Sequence, residues 1–395
     1  MCRLTIARDV ARNVLGEGER AGAEDGGDDG GNENRTQGAR PSAASGWGCG
    51  KTSTRFERAI MDGGRDLADP RLMAAEIKVG ATSWTEKSLV DSGWYPKGTH
   101  SPEGMLRYYA SQFSITENDS MYYAIPPPDR AELWVERTPP WFTMNVKAFA
   151  TLTQHYTDPK RLPPDIREAL PEELLGEARV YPKDLGDEIL REIAARFRAA
   201  IDPLRASGKL GLVLFQYPVW FTASRENERK LFHTRDLVPD CRVAIEFRNA
   251  IWMNERHRDR TLALLHDADL VYTCVDEPQG FPSSIPPVAY ATSDVALVRF
   301  HGQSASRWNK KTESARDRFR YRYTKEQLGE WVPRIKRLAE QTESVHVLMN
   351  NCYSDYAVRN ARQMIELLGS VELPSARPLQ KASKRAETAR RPTAG

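Results

Sequence analysis

Arg299 and His301 stand two residues apart in the stretch ALVRFHGQ, residues 296–303. The stretch begins as an apolar strand and ends in groups that can bind an anion or move a proton. The same arrangement recurs along the chain. Apolar runs end in Glu117, Asn118 and Ser120, followed by Tyr122 and Tyr123, while another carries Asn145 and Lys147. Later runs end in Gln216, in Glu246 and Arg248, in Asp276, and in Asn350 and Asn351. Side chains alternate along a strand, so Glu246 shares a face with Arg248 and Arg299 shares one with His301. If those faces line one barrel, their side chains converge on one pocket, where buried charges must be paired or must bind something.

The chemistry open to such a set is limited. Arg299, Arg248 and Lys147 suit a phosphate or carboxylate, and arginine offers bidentate contacts. Glu246 or Glu117 suits a general base, and His301 a general acid or base near neutral pH. Asn118, Tyr122, Gln216, Asp276, Trp308, Asn350 and Asn351 complete the expected substrate contacts. A metal could be drawn from Glu117, Glu246, Asp276 and His301, but one strand-end histidine is a poor basis for a transition-metal centre. The expectation is therefore no tight metal site, with a loosely held divalent ion left open as the cofactor. His155 and His266 read as an insertion residue and a helix-face residue. The aromatics Trp84, Trp94, Tyr95, Tyr122, Tyr123 and Trp308 could stack a base or sugar, or merely pack loops.

The elements that must position these residues are regular. Eight β-rich runs occupy 76–82, 112–118, 141–148, 210–216, 242–248, 270–276, 296–301 and 344–350. Most are nearly continuous apolar runs, as parallel strands covered on both faces require. Helix-like segments separate them. Ser101 caps one, with Pro102 at its first position, and Asp129 with Glu132 has capping-box spacing. The stretch between the sixth and seventh runs has too much proline for a good helix, and a long insertion spans about 155–185. Eight strands alternating with about seven helices over roughly 300 residues predict a (β/α)8 TIM barrel. The rival open sheet would carry a glycine-rich turn after its first strand, and none follows here.

Composition narrows the partners. The chain has 57 Lys and Arg against 54 Asp and Glu, a net charge of +3, too near neutral to argue for nucleic acid or membrane. Its five cysteines show no C-x-x-C spacing, which points to reduced thiols in a cytoplasmic protein. No apolar run reaches the length of a membrane span. Residues 1–72 are rich in Gly, Asp, Asn and Ser and read as a disordered leader, which a start at Met61 or Met73 would shorten or remove. Residues 373–395 read as a basic disordered tail, leaving a barrel domain at 73–372. SGWGCGKTS, 45–53, misses a phosphate-binding loop by its first glycine and by the lack of a preceding strand.

Seven blocks occur in order: VGATSW, ITENDSMYYAIP, MNVKA, GLVLFQYP, AIEFRNAIW, VRFHGQ…W and NNCYSDYAVRNA. Together they resemble the domain-of-unknown-function 72 family (YecE-like proteins) over about residues 77–370. The resemblance implies a TIM barrel and no particular reaction; likeness to endonuclease IV-like barrels is one of fold alone. The chain departs from the pattern in its leader, in the expanded 155–185 segment, and at Ala81-Thr82-Ser83-Trp84, where Thr-Ser-Gly-Trp is expected. The residues point to a hydrolase-like enzyme acting on an anionic, phosphate-containing small molecule at the C-terminal face of the barrel. The alternative is a non-catalytic module that binds nucleic acid or another macromolecule; the sequence leaves the oligomeric state open.

Overall fold

The computed structural model describes residues 75–308 and 319–369. The expected leader, the expected basic tail and the 45–53 stretch lie outside the described residues. The eight expected strands all form: β1 Glu76–Ala81, β2 Ile115–Asn118, β3 Thr143–Lys147, β4 Leu210–Gln216, β5 Val243–Glu246, β6 Val271–Asp276, β7 Val295–Phe300 and β8 Ser344–Met349. Each pairs in parallel with its sequence neighbours, and β8 pairs with β1 to close the barrel.

The apolar runs are double-faced because each strand is covered twice. Ile115, Leu212, Leu214, Ala244, Val271, Val295, Leu297 and Leu348 form one cluster, the plug inside the barrel. Their neighbours of opposite phase, among them Met144, Val213, Ile245, Tyr272, Val298 and Val347, belong to a second, larger cluster under the helices. Both faces are apolar, so periodicity alone does not say which residue looks inward.

Among the described residues, seven helices have eight residues or more: α1 Pro102–Gln112, α2 Pro128–Glu136, α3 Pro182–Ala206, α4 Arg225–Phe232, α5 Arg258–Asp267, α6 Lys325–Ala339 and α7 Tyr356–Leu368. Ser101 caps α1 as expected, its Oγ accepting from the Gly104 N–H. The capping box expected at Asp129 does not form. Pro127 caps α2 and Pro128 opens it, so Asp129 already lies inside the first turn. The proline run at 126–128 fixes φ and sets the start earlier. Gly186, at φ 71°, kinks α3, which ends at Ser207 and the left-handed Gly208. The 155–185 insertion folds as short turns tied by a Thr157–Val180 bridge. No helix lies between β6 and β7, in keeping with the prolines there. No described helix is long and apolar enough to cross a membrane.

One junction closes the barrel tightly. The buried Tyr109 hydroxyl of α1 reaches between β1 and β2, where it accepts the Ala81 N–H at 2.7 Å and lies 3.0 Å from the Ile115 carbonyl oxygen. A Cβ on Gly80 would stand 1.9 Å from that same oxygen. Gly80→Ala should therefore destabilise the barrel by about 1–3 kcal/mol, the range for overpacking. Urea denaturation of the variant beside the wild type checks this; equal midpoints would contradict it.

Candidate functional site

The C-terminal strand ends carry their inward-facing polar residues to one level. Glu117 of β2, Lys147 of β3, Gln216 of β4, Glu246 of β5 and Arg299 of β7 sit there, and Arg248, His301 and Asn350 follow one step beyond their strands. Beneath them lies the apolar plug, so charges at this level have water on one side at most.

Arg299 is the hub, fully buried. Its Nη1 donates to Oε2 of Glu246 and its Nη2 to Oε1 of Glu117, both at 2.5 Å. Glu246 is crowded in turn. Its Oε1 accepts from Gln216 Nε2 at 2.5 Å and pairs with Arg248 Nε at 3.0 Å. Arg248 continues to Glu277, whose Oε2 lies 2.8 Å from Nη1. Glu277 also accepts the Ile285 N–H through Oε1, which ties the loop after β6 to the network. Carboxylates and guanidinium groups thus alternate from Glu117 through Arg299, Glu246 and Arg248 to Glu277.

This alternation splits the carboxyls electrostatically. Burial alone would raise Glu246, yet the cations beside it, Arg299 above all and Arg248 with it, hold it well below the usual carboxylate range. At Glu117 burial outweighs Arg299 and, with Asp119 and Glu246 nearby, pushes the group up to about 8. Arg299 therefore joins one ionised and one protonated carboxyl at neutral pH. Oε2 of Glu117, the atom free to carry the proton, has no partner among the described residues. Burial likewise raises Glu277 to about 7, against Arg248.

His301 is also buried, and burial followed by the nearby Arg248 lowers it to about 3. Thr82 donates to Asn350 Oδ1, which leaves the Asn350 amide to donate to His301 Nδ1 at 2.7 Å. The imidazole is then neutral with its proton on Nε2. That atom lies 3.2 Å from Glu246 Oε1, without the alignment of a hydrogen bond. Glu246 and His301 thus lie beneath the mouth, both fully buried among their partners. Arg299, expected to clamp an anion, is already spent on two carboxyls.

Above this floor lies an open cavity of about 770 Å³. Lys147, Gln216, Arg248 and Asn350 form its base, and Asp119 stands at one side. Tyr122, Tyr123, His155, Trp220 and Trp308 supply an aromatic wall. Tyr122 meets Tyr123 edge-on at 5.0 Å and His155 at 5.4 Å, and His155 meets Trp220 at 5.8 Å. Tyr123 and Trp220 remain 54% and 53% exposed, unusual for rings this large. Arg248 lies 5.3 Å from the Trp308 ring centre and Lys147 Nζ 4.6 Å from that of Tyr122. Lys147 has no ion-pair partner within 4 Å among the described residues. Burial lowers its ammonium, opposed chiefly by Asp119. Burial, reinforced by Lys147, also lowers His155 to about 4.

Of the residues expected from sequence, Lys147, Tyr122, Gln216, Arg248, Trp308 and Asn350 line the cavity. Glu117, Glu246, Arg299 and His301 form the layer below. Three fall elsewhere. Asp276 points outward, where it accepts from Trp331 Nε1 at 2.7 Å, from the Tyr323 hydroxyl at 2.6 Å and from Gln303 Nε2 at 2.9 Å. Asn351 is fixed to the Tyr321 carbonyl and Asn360, and Asn118 folds back onto the Ser120 N–H. The inward residue at the end of β6 is Glu277, in phase with Val271 of the plug; Asp276 is in phase with Tyr272 and Cys274 of the outer layer. Sequence reasoning also missed His155, Asp119 and Trp220. His155, expected to be an insertion residue, lines the cavity between Tyr122 and Trp220. Of the aromatics, Trp84 packs on Trp134 and Trp94 on Tyr95 and Tyr108, away from the cavity. The metal set drawn from Glu117, Glu246, Asp276 and His301 does not assemble, because Asp276 faces the helices and Arg299 occupies both glutamates. Among the described residues no group of three or more His, Cys, Asp or Glu side chains is placed to hold a metal ion.

Comparison with known proteins gives consistent relatives. A family model described as "Protein of unknown function DUF72" matches residues 78–384. UPF0759 protein YunF of Bacillus subtilis (strain 168) is 32% identical over 296 residues, 74% of this chain and 94% of its own. A crystal structure of a DUF72 family protein from Enterococcus faecalis is 26% identical with a TM-score of 0.60, covering 74% of this chain and 95% of that one. One from Thermotoga maritima is 26% identical with a TM-score of 0.59, covering 74% and 99%.

The network has two measurable consequences. Arg299→Ala leaves two buried carboxyls without their common partner, and urea denaturation should show a loss of about 3–5 kcal/mol; a loss under about 1 kcal/mol would contradict it. Glu117 titrates in the usual carboxylate range when unfolded and at about 8 when folded. Its stabilising contribution is complete below the unfolded value and is lost as pH rises toward 8. The stability difference between wild type and Glu117→Gln should therefore move against the wild type from pH 5 to pH 8. A difference independent of pH would show Glu117 ionised throughout.

Proposed function

The chain belongs to the DUF72 family, and from that premise we propose that it is an enzyme acting on an anionic, phosphate-containing small molecule held in the barrel mouth. One observation carries the reading. Lys147 brings an ammonium group to the cavity base with no carboxylate within 4 Å among the described residues, and Arg248 presents a second cation at the same level. Among the described residues the other inward-facing cations here, Arg248 and Arg299, are each held by two carboxyl groups, and Lys147 by none. A bound anion supplies the missing charge.

The rest of the cavity fits that role. Asn350 and Gln216 offer amide contacts at the base, and the aromatic wall suits the ring or sugar portion of a substrate. Proton transfer falls to Asp119, which is 32% exposed at the cavity side and whose Oδ1 accepts no hydrogen bond among the described residues but lies 3.9 Å from Arg299 Nη2. Glu117, Glu246, Arg299 and His301 act through this floor by fixing Arg248 and Asn350.

Thermal denaturation with inorganic phosphate, pyrophosphate, AMP and a short single-stranded DNA tests the reading. A phosphate compound at one hundred times its Kd should stabilise the wild type by about 2.7 kcal/mol. Lys147→Met should lose most of that gain while folding normally. Equal stabilisation of Lys147→Met, or none of the wild type, would overturn the reading. Stabilisation by DNA alone, falling steeply with salt, would replace it with a nucleic-acid-binding module.

A further inference from the structure

We infer that the substrate is a free nucleoside monophosphate, with its base stacked on Trp220 and its phosphate on Lys147 and Arg248. The inference rests on the anionic-substrate reading above and names the group that the anion carries. It starts from a tryptophan that is exposed and yet firmly held. Trp220 follows β4 and stands 53% exposed on the cavity wall. The backbone on either side of it is fixed. Asn249 Nδ2 donates to the Val219 carbonyl at 2.7 Å, and Trp252 Nε1 donates to the Phe221 carbonyl at 2.6 Å. Phe221 is buried in an aromatic stack, its ring centre 4.0 Å from that of Tyr217 and 5.6 Å from that of Trp252. A mobile loop would let so large a ring fold out of water. This anchored backbone keeps it at the cavity.

The ring also keeps a free face. Its aromatic contact among the described residues is His155, at 5.8 Å with the planes at 66°, so no described ring stacks on it. Tyr123 is as exposed, but Arg161 already lies over its ring at 5.5 Å. The rings form a row that starts at the cationic base. Lys147 Nζ lies over Tyr122, Tyr122 meets His155, and His155 meets Trp220. A phosphate bound at the start of that row directs the rest of its molecule along it. A nucleotide places a flat ring one sugar beyond the phosphate, and the row ends in a free face that such a ring can cover.

The polar groups beside Trp220 favour a base over a second sugar. Pro218 and Val219 precede it on the wall. Asn249 spends both ends of its amide on backbone, at the Val219 carbonyl and the Ile251 N–H. A second sugar ring needs partners for several hydroxyls, whereas any base needs only an aromatic face to stack on. The chain's net charge of +3 favours a free nucleotide over the end of a long polyanion.

Isothermal titration of the full chain tests this with ribose 5-phosphate, AMP and a 5′-phosphorylated deoxyadenylate oligomer. The proteins compared are the wild type, Trp220→Ala and Lys147→Met. AMP should bind the wild type at least about fivefold more tightly than ribose 5-phosphate, the low end of what stacking on an aromatic side chain contributes. Trp220→Ala should lose that advantage and keep the wild-type affinity for ribose 5-phosphate, which also shows that it folds. AMP binding no more tightly than ribose 5-phosphate, or both weakened alike in Trp220→Ala, would overturn the inference. If ribose 5-phosphate still binds the wild type and not Lys147→Met, the anion site stands and only the base platform falls. If neither compound binds, or both bind Lys147→Met equally well, the fault lies in the anion reading itself. The oligomer binding more tightly than AMP, with an affinity that falls steeply with salt, would overturn the assignment to a free nucleotide.

Discussion

A fully buried guanidinium is the constraint on which this barrel mouth is built. Arg299 has no exposure to water, so its charge must be cancelled by groups the protein supplies. Two strands on the far side of the barrel provide them, Glu117 from β2 and Glu246 from β5. Burial raises both, but the cations around Glu246 hold it ionised while Glu117 is pushed up to about 8. From that pair the remaining contacts follow. Glu246 fixes Gln216 and Arg248, Arg248 fixes Glu277, and Glu277 holds the loop after β6 through the Ile285 N–H.

The network therefore divides the polar strand ends into two layers with different work. The lower layer spends its charges on itself and gives the mouth a rigid floor. The upper layer faces the cavity: Lys147 without a carboxylate within 4 Å among the described residues, and Arg248, Asn350 and Asp119 tied from below.

Much of this was legible in the sequence. The eight strands came from apolar run length and spacing, and the barrel from their alternation with helices. That Glu246 shares a face with Arg248, and Arg299 with His301, followed from the two-residue period; that both faces look into the barrel did not. Depth did not follow. Glu246 and Arg248 share a face, but only the folded barrel shows that the first is sealed and the second reaches the cavity. At β6 the two-sided apolar run hid which of Asp276 and Glu277 looks inward, since Tyr272 and Cys274 are as buried as Val271. His155 and Trp220 were invisible for another reason. They lie on connecting segments, and only tertiary contacts bring them beside Tyr122.

The proposed anion rests on Lys147 and Arg248, above a floor in which Glu117 and Glu246 already hold Arg299. Crystals soaked in selenate and measured at the selenium edge test it most directly, because anomalous scattering locates the anion itself. A peak between Lys147 Nζ and the Arg248 guanidinium, with the Glu117–Arg299–Glu246 contacts unchanged, is the result expected. A peak at Arg299 that displaces either glutamate, or peaks confined to the outer surface, would contradict it.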